Sequence, residues 1–353
     1  MNLRQASSQY ETWLAAQLHL LPADLRLKHQ RMLEGPFPFL RATYYRWAQV
    51  WPVACGKFGL GPRVLAVGDL HVENFGTWRD TDGRLVWGVN DFDEAYPLPY
   101  SNDLVRLATS AFLAVKELNV SPKRAAAEIL RGYGESLKAG GRPFVLVDRT
   151  TPLREMARHR LNEPEKFWNK LRRLVPLKKR PRAEAIKAIQ AILPPGRIRL
   201  RYAHRIAGLG SLGRERFTGL GVWLGGQIAR EAKSCAASAC AFADGMTAAT
   251  ILIDEIVRRA VRVPDPFWKV TRGWMARRLS PDCFRFELAH LPQERDELYL
   301  LYCMGWETAN IHLGSGEASA ILRDLRRKPR HWLFKAASLM REQVLEDWRE
   351  YSS

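Results

Sequence analysis

Two stretches decide how this chain is read: AVGDLHVENFGTW at residues 66–78 and GRLVWGVNDFDEAYPLPYSNDLVRL at residues 83–107. The apolar runs RVLAV (63–67) and RLVWGV (84–89) read as buried strands, with Asp82–Gly83 as a turn in the segment between them. Asp69 follows the first strand, Asn74 comes soon after it, and Asp91 follows the second strand. Phosphoryl transfer asks little covalent chemistry of a protein. It needs a carboxylate to orient or deprotonate the attacking hydroxyl, and oxygen ligands to hold Mg²⁺ on the phosphates. Two neighbouring strands ending at one edge bring such groups together, so Asp69 is the expected base and Asn74 and Asp91 are the expected Mg²⁺ ligands. Asp93 is a further candidate ligand, because residues two apart share a face in an extended strand. Asp103, which opens the helix NDLVRLATS, reads as a cap or an anchor of the loop, and His71 as a packed, hydrogen-bonded residue. Glu73 reads as a third carboxylate of the metal shell or as a surface residue, and Arg41 as a contact of the loop.

A second signal is GLGSLGRERF at 208–217, with Gly208, Gly210 and Gly213 in G-x-G-x-x-G spacing and Ser211 within the turn. Glycines let a backbone approach phosphate closely, and Ser211 offers a hydroxyl to a phosphate oxygen. No long helix opens at the third glycine, so the dinucleotide-binding version of the motif fails. The strand-like FTGLGVWLGGQIAREAK that follows fits a kinase-type hairpin, after which a strand carries a base that pairs with phosphate. Arg230 and Lys233 are the candidates on that strand. Lying three apart, they face opposite sides, and Lys233 is preferred for its point charge. Glu255 on the next helix is the candidate carboxylate partner.

These residues resemble a known superfamily. GDLHVEN and VNDFDEA look like the catalytic and metal loops of aminoglycoside-phosphotransferase-like and protein-kinase-like enzymes. PFPFLR, GDLHVENFG, NDFDEAYPLPYSNDLVRLA, GLGSLGRERF and REAK together resemble the bacterial domain-of-unknown-function family 2252, a kinase-like group, from about Phe37 to His312. The resemblance implies an α+β, two-lobed kinase-like fold, ATP and Mg²⁺ as cofactors, and phosphotransfer to an acceptor it does not specify. Val67 stands where the phosphotransferases usually have a His ahead of GDLH, and Arg230 where the wider family tends to have Lys.

The order of the parts is reversed relative to an ordinary kinase, because only 68 residues, helical in pattern, precede Asp69, while the Gly-rich hairpin arrives far later. A circularly permuted arrangement follows: a helical lobe with the catalytic and metal loops at 1–196, a β-rich nucleotide lobe at 197–290, and C-terminal helices at 291–353 that pack back on the first lobe. The helix LYLLYCMGWETANIHL (298–313) resembles the one that precedes the catalytic loop in phosphotransferases. Helices are also expected over 7–60, 102–118, 121–139, 164–174, 183–193 and 245–262, and a strand pair near 269–279 and 283–288.

The formal charge is +18, with pI about 10.0, and it is unevenly spread. Residues 151–220 hold 18 of the 55 Lys and Arg but only 5 of the 37 Asp and Glu, a bias that suits an anionic partner. A basic nucleic-acid- or polyanion-binding protein is therefore the main alternative, although no zinc-finger, RNP or helix-turn-helix signature accompanies the charge. A catalytically silent kinase-like scaffold and a nucleotidyl transferase use the same residues. Five scattered cysteines without a C-x-x-C pair suggest neither a disulfide framework nor a zinc site. With no apolar run long enough to span a membrane and no leader-like opening, the sequence predicts no membrane insertion and a cytoplasmic location.

Overall fold

The computed structural model describes residues 2–114, 118–146, 152–161, 164–286 and 296–353. Four helices come first: α1 (Leu3–Ala15), α2 (Pro22–Met32), α3 (Pro36–Ala42) and α4 (Tyr44–Ala54). At the start of α1 the Asn2 side chain accepts from the Gln5 amide while Gln5 accepts from the Asn2 amide, a reciprocal cap. Prolines open α2 and α3, where a missing N–H costs no helical bond.

Four strands follow: β1 (Arg63–Ala66), β2 (Phe75–Arg79), β3 (Leu85–Val89) and β4 (Tyr96–Pro99). The two strands legible in the sequence, β1 and β3, are not neighbours. β1 pairs antiparallel with β4, and β3 pairs with β2, so the Asp82–Gly83 turn closes the β2–β3 hairpin. Gly76 hides β2 from a reading of side-chain pattern. A Cβ there would collide with the Phe284 carbonyl oxygen, because residues 284–286 run along β2, with Thr77 N donating to Phe284 O (2.9 Å) and Phe286 N to Phe75 O (2.8 Å). The segment expected to pair with 269–279 thus bonds to β2; residues 287 and 288 lie outside the described residues.

Helices α5 (Ser101–Leu113), α6 (Pro122–Ala139), α7 (Pro152–Leu161), α8 (Pro164–Arg172) and α9 (Ala183–Gln190) come next, with the short β5 (Phe144–Val145) pairing to β3 after α6. A five-stranded antiparallel sheet then forms from β6 (Arg201–His204), β7 (Arg216–Trp223), β8 (Gly226–Ser234), β9 (Lys269–Thr271) and β10 (Trp274–Leu279), in the order β6-β7-β8-β10-β9. The fold is therefore mixed α+β, with three small sheets among the described residues. Helix α9, expected in the first lobe, lays Ala185, Ala188 and Ile189 against Phe217, Ala232 and Trp274 and covers one face of this sheet. Between β8 and β9 the helix expected over 245–262 forms only at α11 (Ile253–Arg259), preceded by the short α10 (Ala239–Ala243). Among the described residues no helix is long and apolar enough to cross a membrane.

The chain closes with α12 (Glu297–His312), α13 (Ala318–Arg327) and α14 (Trp332–Ser352). Helix α12 crosses α6 at backbone contact: a Cβ on Gly132 would meet the Tyr302 carbonyl oxygen, and one on Gly305 the Ile129 carbonyl oxygen. Gly305→Ala is expected to destabilise the fold by roughly 1–3 kcal/mol through overpacking. Gly134→Ala, on the same helix as Gly132 but with nothing within 4 Å of its Cβ position, is expected to gain about 0.5–1 kcal/mol from helix propensity. Urea unfolding of the two variants checks the contrast, and equal effects would remove the close crossing as the reason for Gly305.

Glu307 on α12 is 1% exposed and accepts from Val89 N (3.2 Å) and Asn310 Nδ2 (2.9 Å), fixing α12 to the end of β3. Burial pushes its carboxyl from 4.5 up to about 7, against the pull of Arg262. A carboxyl raised in the folded state binds its proton more tightly there than in the unfolded chain, so its contribution to stability falls as pH rises from about 4.5 to about 7. Relative to Glu307→Gln, the wild type is expected to lose up to about 3 kcal/mol across that window. Chemical denaturation of both proteins at pH 5 and pH 8 measures the difference, and a constant gap contradicts the assignment.

Candidate active site

The first turn of α5 holds the loop that carries Asp69. The Asp103 carboxylate, with no exposure, accepts from Val67 N (2.7 Å) and Gly68 N (2.9 Å), and His312 Nε2 donates to it (3.0 Å) while His312 Nδ1 pairs with Tyr133 (2.8 Å). Asp103 is thus the anchor of the loop. One turn along, Arg106 donates to Asp69 Oδ1 from Nε (3.2 Å) and Nη2 (2.5 Å), with its guanidinium lying over Tyr44 and Trp47. Burial pushes the Asp69 carboxyl up, and Arg106 opposes it. Asp69 Oδ2 makes no hydrogen bond among the described residues and lies 3.5 Å from where a Cβ on Gly210 would sit.

Asn74 joins the two loops. Its Nδ2 donates to the carbonyls of Asp69 (3.1 Å) and Asp91 (3.0 Å), and Asn90 N donates to Asn74 O (2.9 Å) at the end of the β2–β3 ladder. The convergence expected of β1 and β3 therefore comes from the β2–β3 hairpin, which places Asn74 beside Asp91. Asn74 Oδ1 is buried and has no hydrogen-bond partner among the described residues. Burial would raise the Asp91 carboxyl, but Lys233, Arg285 and Arg277 outweigh it and hold it well below the usual carboxylate range. An oriented, unpartnered amide oxygen beside an ionised carboxylate is a fitting donor set for Mg²⁺, which takes one or two carboxylates and completes its shell with phosphate and water. No group of three or more His, Cys, Asp or Glu side chains is arranged for a metal among the described residues.

The segment 208–213 connects β6 to β7 and closes over these groups in a cleft of about 600 Å³, part of it open to solvent, that Asp69, Asn74, Asp91, Gly208, Gly210 and Ser211 help to line. Gly208 and Gly213 take positive φ (73° and 98°), and Gly210 passes within 3.0 Å of the Arg41 carbonyl, measured from its Cβ position. Ser211 braces the loop: its Oγ donates to Gly208 O (3.4 Å) and accepts from Arg216 Nη2 (2.8 Å). Arg216 is held in turn by Glu231 (2.7 Å), around which Arg205 and Arg277 also gather.

The two faces of β8 separate Lys233 from Arg230. Lys233 Nζ reaches Asp93 (2.6 Å to each oxygen) and Asp91 (3.4 Å). Arg230 points to the other side, bonded to Ile192 O (2.9 Å) and Ala229 O (2.9 Å) and lying over Phe267, so it is not part of the cleft. Asp93 lies in a turn, not in the strand whose alternation was to set its face, and is an ion-pair partner of Lys233 and of Arg214 (3.4 Å). Glu255 pairs with Arg259 (2.8 Å) on its own helix. Glu73 is buried against Arg41 rather than on the surface. His71 is buried and accepts from Glu73 N (3.2 Å), and burial drives its pKa well down.

Residues 20–143 match the family described as "Uncharacterized protein conserved in bacteria (DUF2252)". The DUF2252 match takes in PFPFLR and both acidic loops, whereas the Gly-rich segment and REAK lie beyond it. No curated protein and no solved structure matches the chain.

Sequence reasoning missed Arg106, Arg285 and Lys28. Arg285 reaches Asp91 (2.6 Å) from the stretch that bonds to β2, and Lys28 reaches Gly210 O (3.4 Å) from α2. Only Arg106 had a local signal, its spacing of one helical turn from Asp103. Of the basic segment, Arg214 and Arg216 are buried in the site and Arg201 caps the end of α8 through Leu174 O (2.7 Å), while Lys178, Lys179, Arg180, Arg197 and Arg199 are exposed. Removing the anchor tests the frame. Asp103→Ala leaves two amides and His312 without their acceptor and is expected to cost about 3–5 kcal/mol, read by urea unfolding; a loss below about 1 kcal/mol would show that the loop is held by other means.

Proposed function

We propose that this protein is a Mg²⁺-dependent phosphotransferase of kinase-like, circularly permuted build, moving the γ-phosphoryl group of ATP to an acceptor hydroxyl. The observation that carries the reading is the closure of the Gly-rich β6–β7 connection over Asp69, Asn74 and Asp91, with Lys233 on the third strand of the same sheet. In protein kinases a Gly-rich loop covers the phosphates and a lysine on the third strand meets them. The permutation is supported at the other end of the helical body. Ser315 Oγ, just past α12, accepts from Leu65 N (2.7 Å) on β1, so α12 ends beside the strand that leads to Asp69.

Asn74 Oδ1 and Asp91 would hold Mg²⁺, which neutralises phosphate charge when bound. Asp69, fixed by Arg106 through Oδ1, offers Oδ2 to the acceptor hydroxyl. Its raised basicity suits it to take that proton as the acceptor oxygen bonds to the γ-phosphorus, the bond to the bridging oxygen breaks, and ADP leaves with the electron pair. Lys233 and Arg285 bring cationic donors to the phosphate end.

Calorimetry with ATP and Mg²⁺ is expected to give binding that Asp91→Ala and Lys233→Met weaken at least tenfold and Arg230→Met leaves unchanged. Asp69→Asn is expected to keep binding and lose turnover by about 10²–10⁴-fold. ADP is the expected product, and AMP with pyrophosphate would instead favour nucleotidyl transfer. Absence of ATP binding at millimolar concentration ends the enzymatic reading.

A further inference from the structure

Cations and carboxylates alternate around the cleft, and nearly every cation has its carboxylate. Arg106 pairs with Asp69 (2.5 Å), Arg41 with Glu73, Arg285 with Asp91 (2.6 Å), Lys233 with Asp93 (2.6 Å), and Arg214 with Asp93 (3.4 Å) and Glu94 (3.5 Å). Lys28 is the exception. It is 4% exposed and lines the cleft, yet no carboxylate lies within ion-pair distance of it among the described residues. Its one hydrogen bond is the long contact to Gly210 O (3.4 Å), and the rings of Tyr10 and Tyr45 stand 6.0 Å from its Nζ. A buried ammonium on which Glu11, Glu94 and Asp69 act only from beyond ion-pair distance is costly, and an ammonium has three protons to donate.

Two neighbours have spare donors as well. Arg41 Nε and Arg214 Nε are buried without a hydrogen-bond partner among the described residues, and both residues line the same cleft. Gly210 ties this cluster to the reacting carboxylate, since Lys28 bonds its carbonyl while Asp69 Oδ2 lies 3.5 Å from its Cβ position. The opposite need appears at the phosphate end, where the unpartnered atom is an acceptor, Asn74 Oδ1. The cleft thus has surplus donors on the Lys28 side of Asp69 and a surplus acceptor at Asn74.

We propose that Lys28, assisted by Arg41 and Arg214, forms an oxyanion subsite that takes a phosphate or carboxylate group of the acceptor and so presents a neighbouring hydroxyl to Asp69. The acceptor is then a small anionic alcohol. Its assignment to the acceptor rests on the phosphotransfer reading; the anion subsite itself does not.

The probe is inorganic phosphate, titrated calorimetrically into the full-length chain with and without a non-hydrolysable ATP analogue. Wild type is expected to bind phosphate in both conditions, Lys28→Met to lose at least tenfold in affinity, and Lys28→Arg to retain most of it. Equal phosphate affinity in wild type and Lys28→Met overturns the subsite, as does equal loss in Lys28→Arg and Lys28→Met, which marks a structural role. Displacement of phosphate by the analogue, with Lys28→Met weakening the analogue by the same factor, makes Lys28 a nucleotide ligand and overturns the acceptor assignment. Thermal unfolding keeps the comparison interpretable, because Lys28→Met removes a buried charge that has no ion pair among the described residues and is expected to melt at or above the wild-type temperature. If no variant binds the analogue, the phosphotransfer reading fails while the phosphate titration still decides the subsite.

Discussion

The Asp103 carboxylate accepts hydrogen bonds from Val67 N, Gly68 N and His312 Nε2 in a place with no access to water. Three separate parts of the chain meet on those two oxygens: the start of α5, the loop before Asp69, and the end of α12. A buried carboxylate is tolerable only when its lone pairs are satisfied, so the three parts hold one another in position. Arg106, one turn further along α5, then grips Asp69. One helix thereby sets the backbone of the loop through one residue and its reactive side chain through another.

Around this frame the cleft is a lattice of paired charges. Asp91 stays ionised because Lys233, Arg285 and Arg277 surround it, and Glu231 does so because Arg216, Arg205 and Arg277 outweigh its burial. Such pairs contribute little net stability once desolvation is counted, but removing one partner strands the other. The lattice therefore favours position over strength. It also relocates the chain's basic character: Arg205, Arg214 and Arg216 answer internal carboxylates, so the excess of residues 151–220 left for other partners is smaller than the composition suggests.

The acidic loops were legible because their chemistry is local. Asp69, Asn74 and Asp91 sit in short motifs next to apolar strands, and the structure lines one cleft with all three. What joins them was not legible. β2 is concealed by Gly76, whose missing side chain makes room for the Phe284 backbone, and without β2 the sequence pattern makes neighbours of β1 and β3, which do not pair. The choice between Arg230 and Lys233 shows the same limit. Alternation along a strand says that they face opposite ways, but only the helix α9 packed on one face, and Asp91 and Asp93 on the other, decide which is which.

By itself the sequence determined many of the element types, the acidic and Gly-rich motifs and the order in which they occur, because each depends on residues close together in the chain. Tertiary structure alone decided which strands pair, which cation meets which carboxylate, and that among the described residues none comes within ion-pair distance of Lys28. Those outcomes depend on contacts between residues up to hundreds of positions apart, such as Asp103 with His312 and Asp91 with Arg285. A buried charge takes whichever partner the packing brings within about 3–4 Å, and no local pattern records that distance.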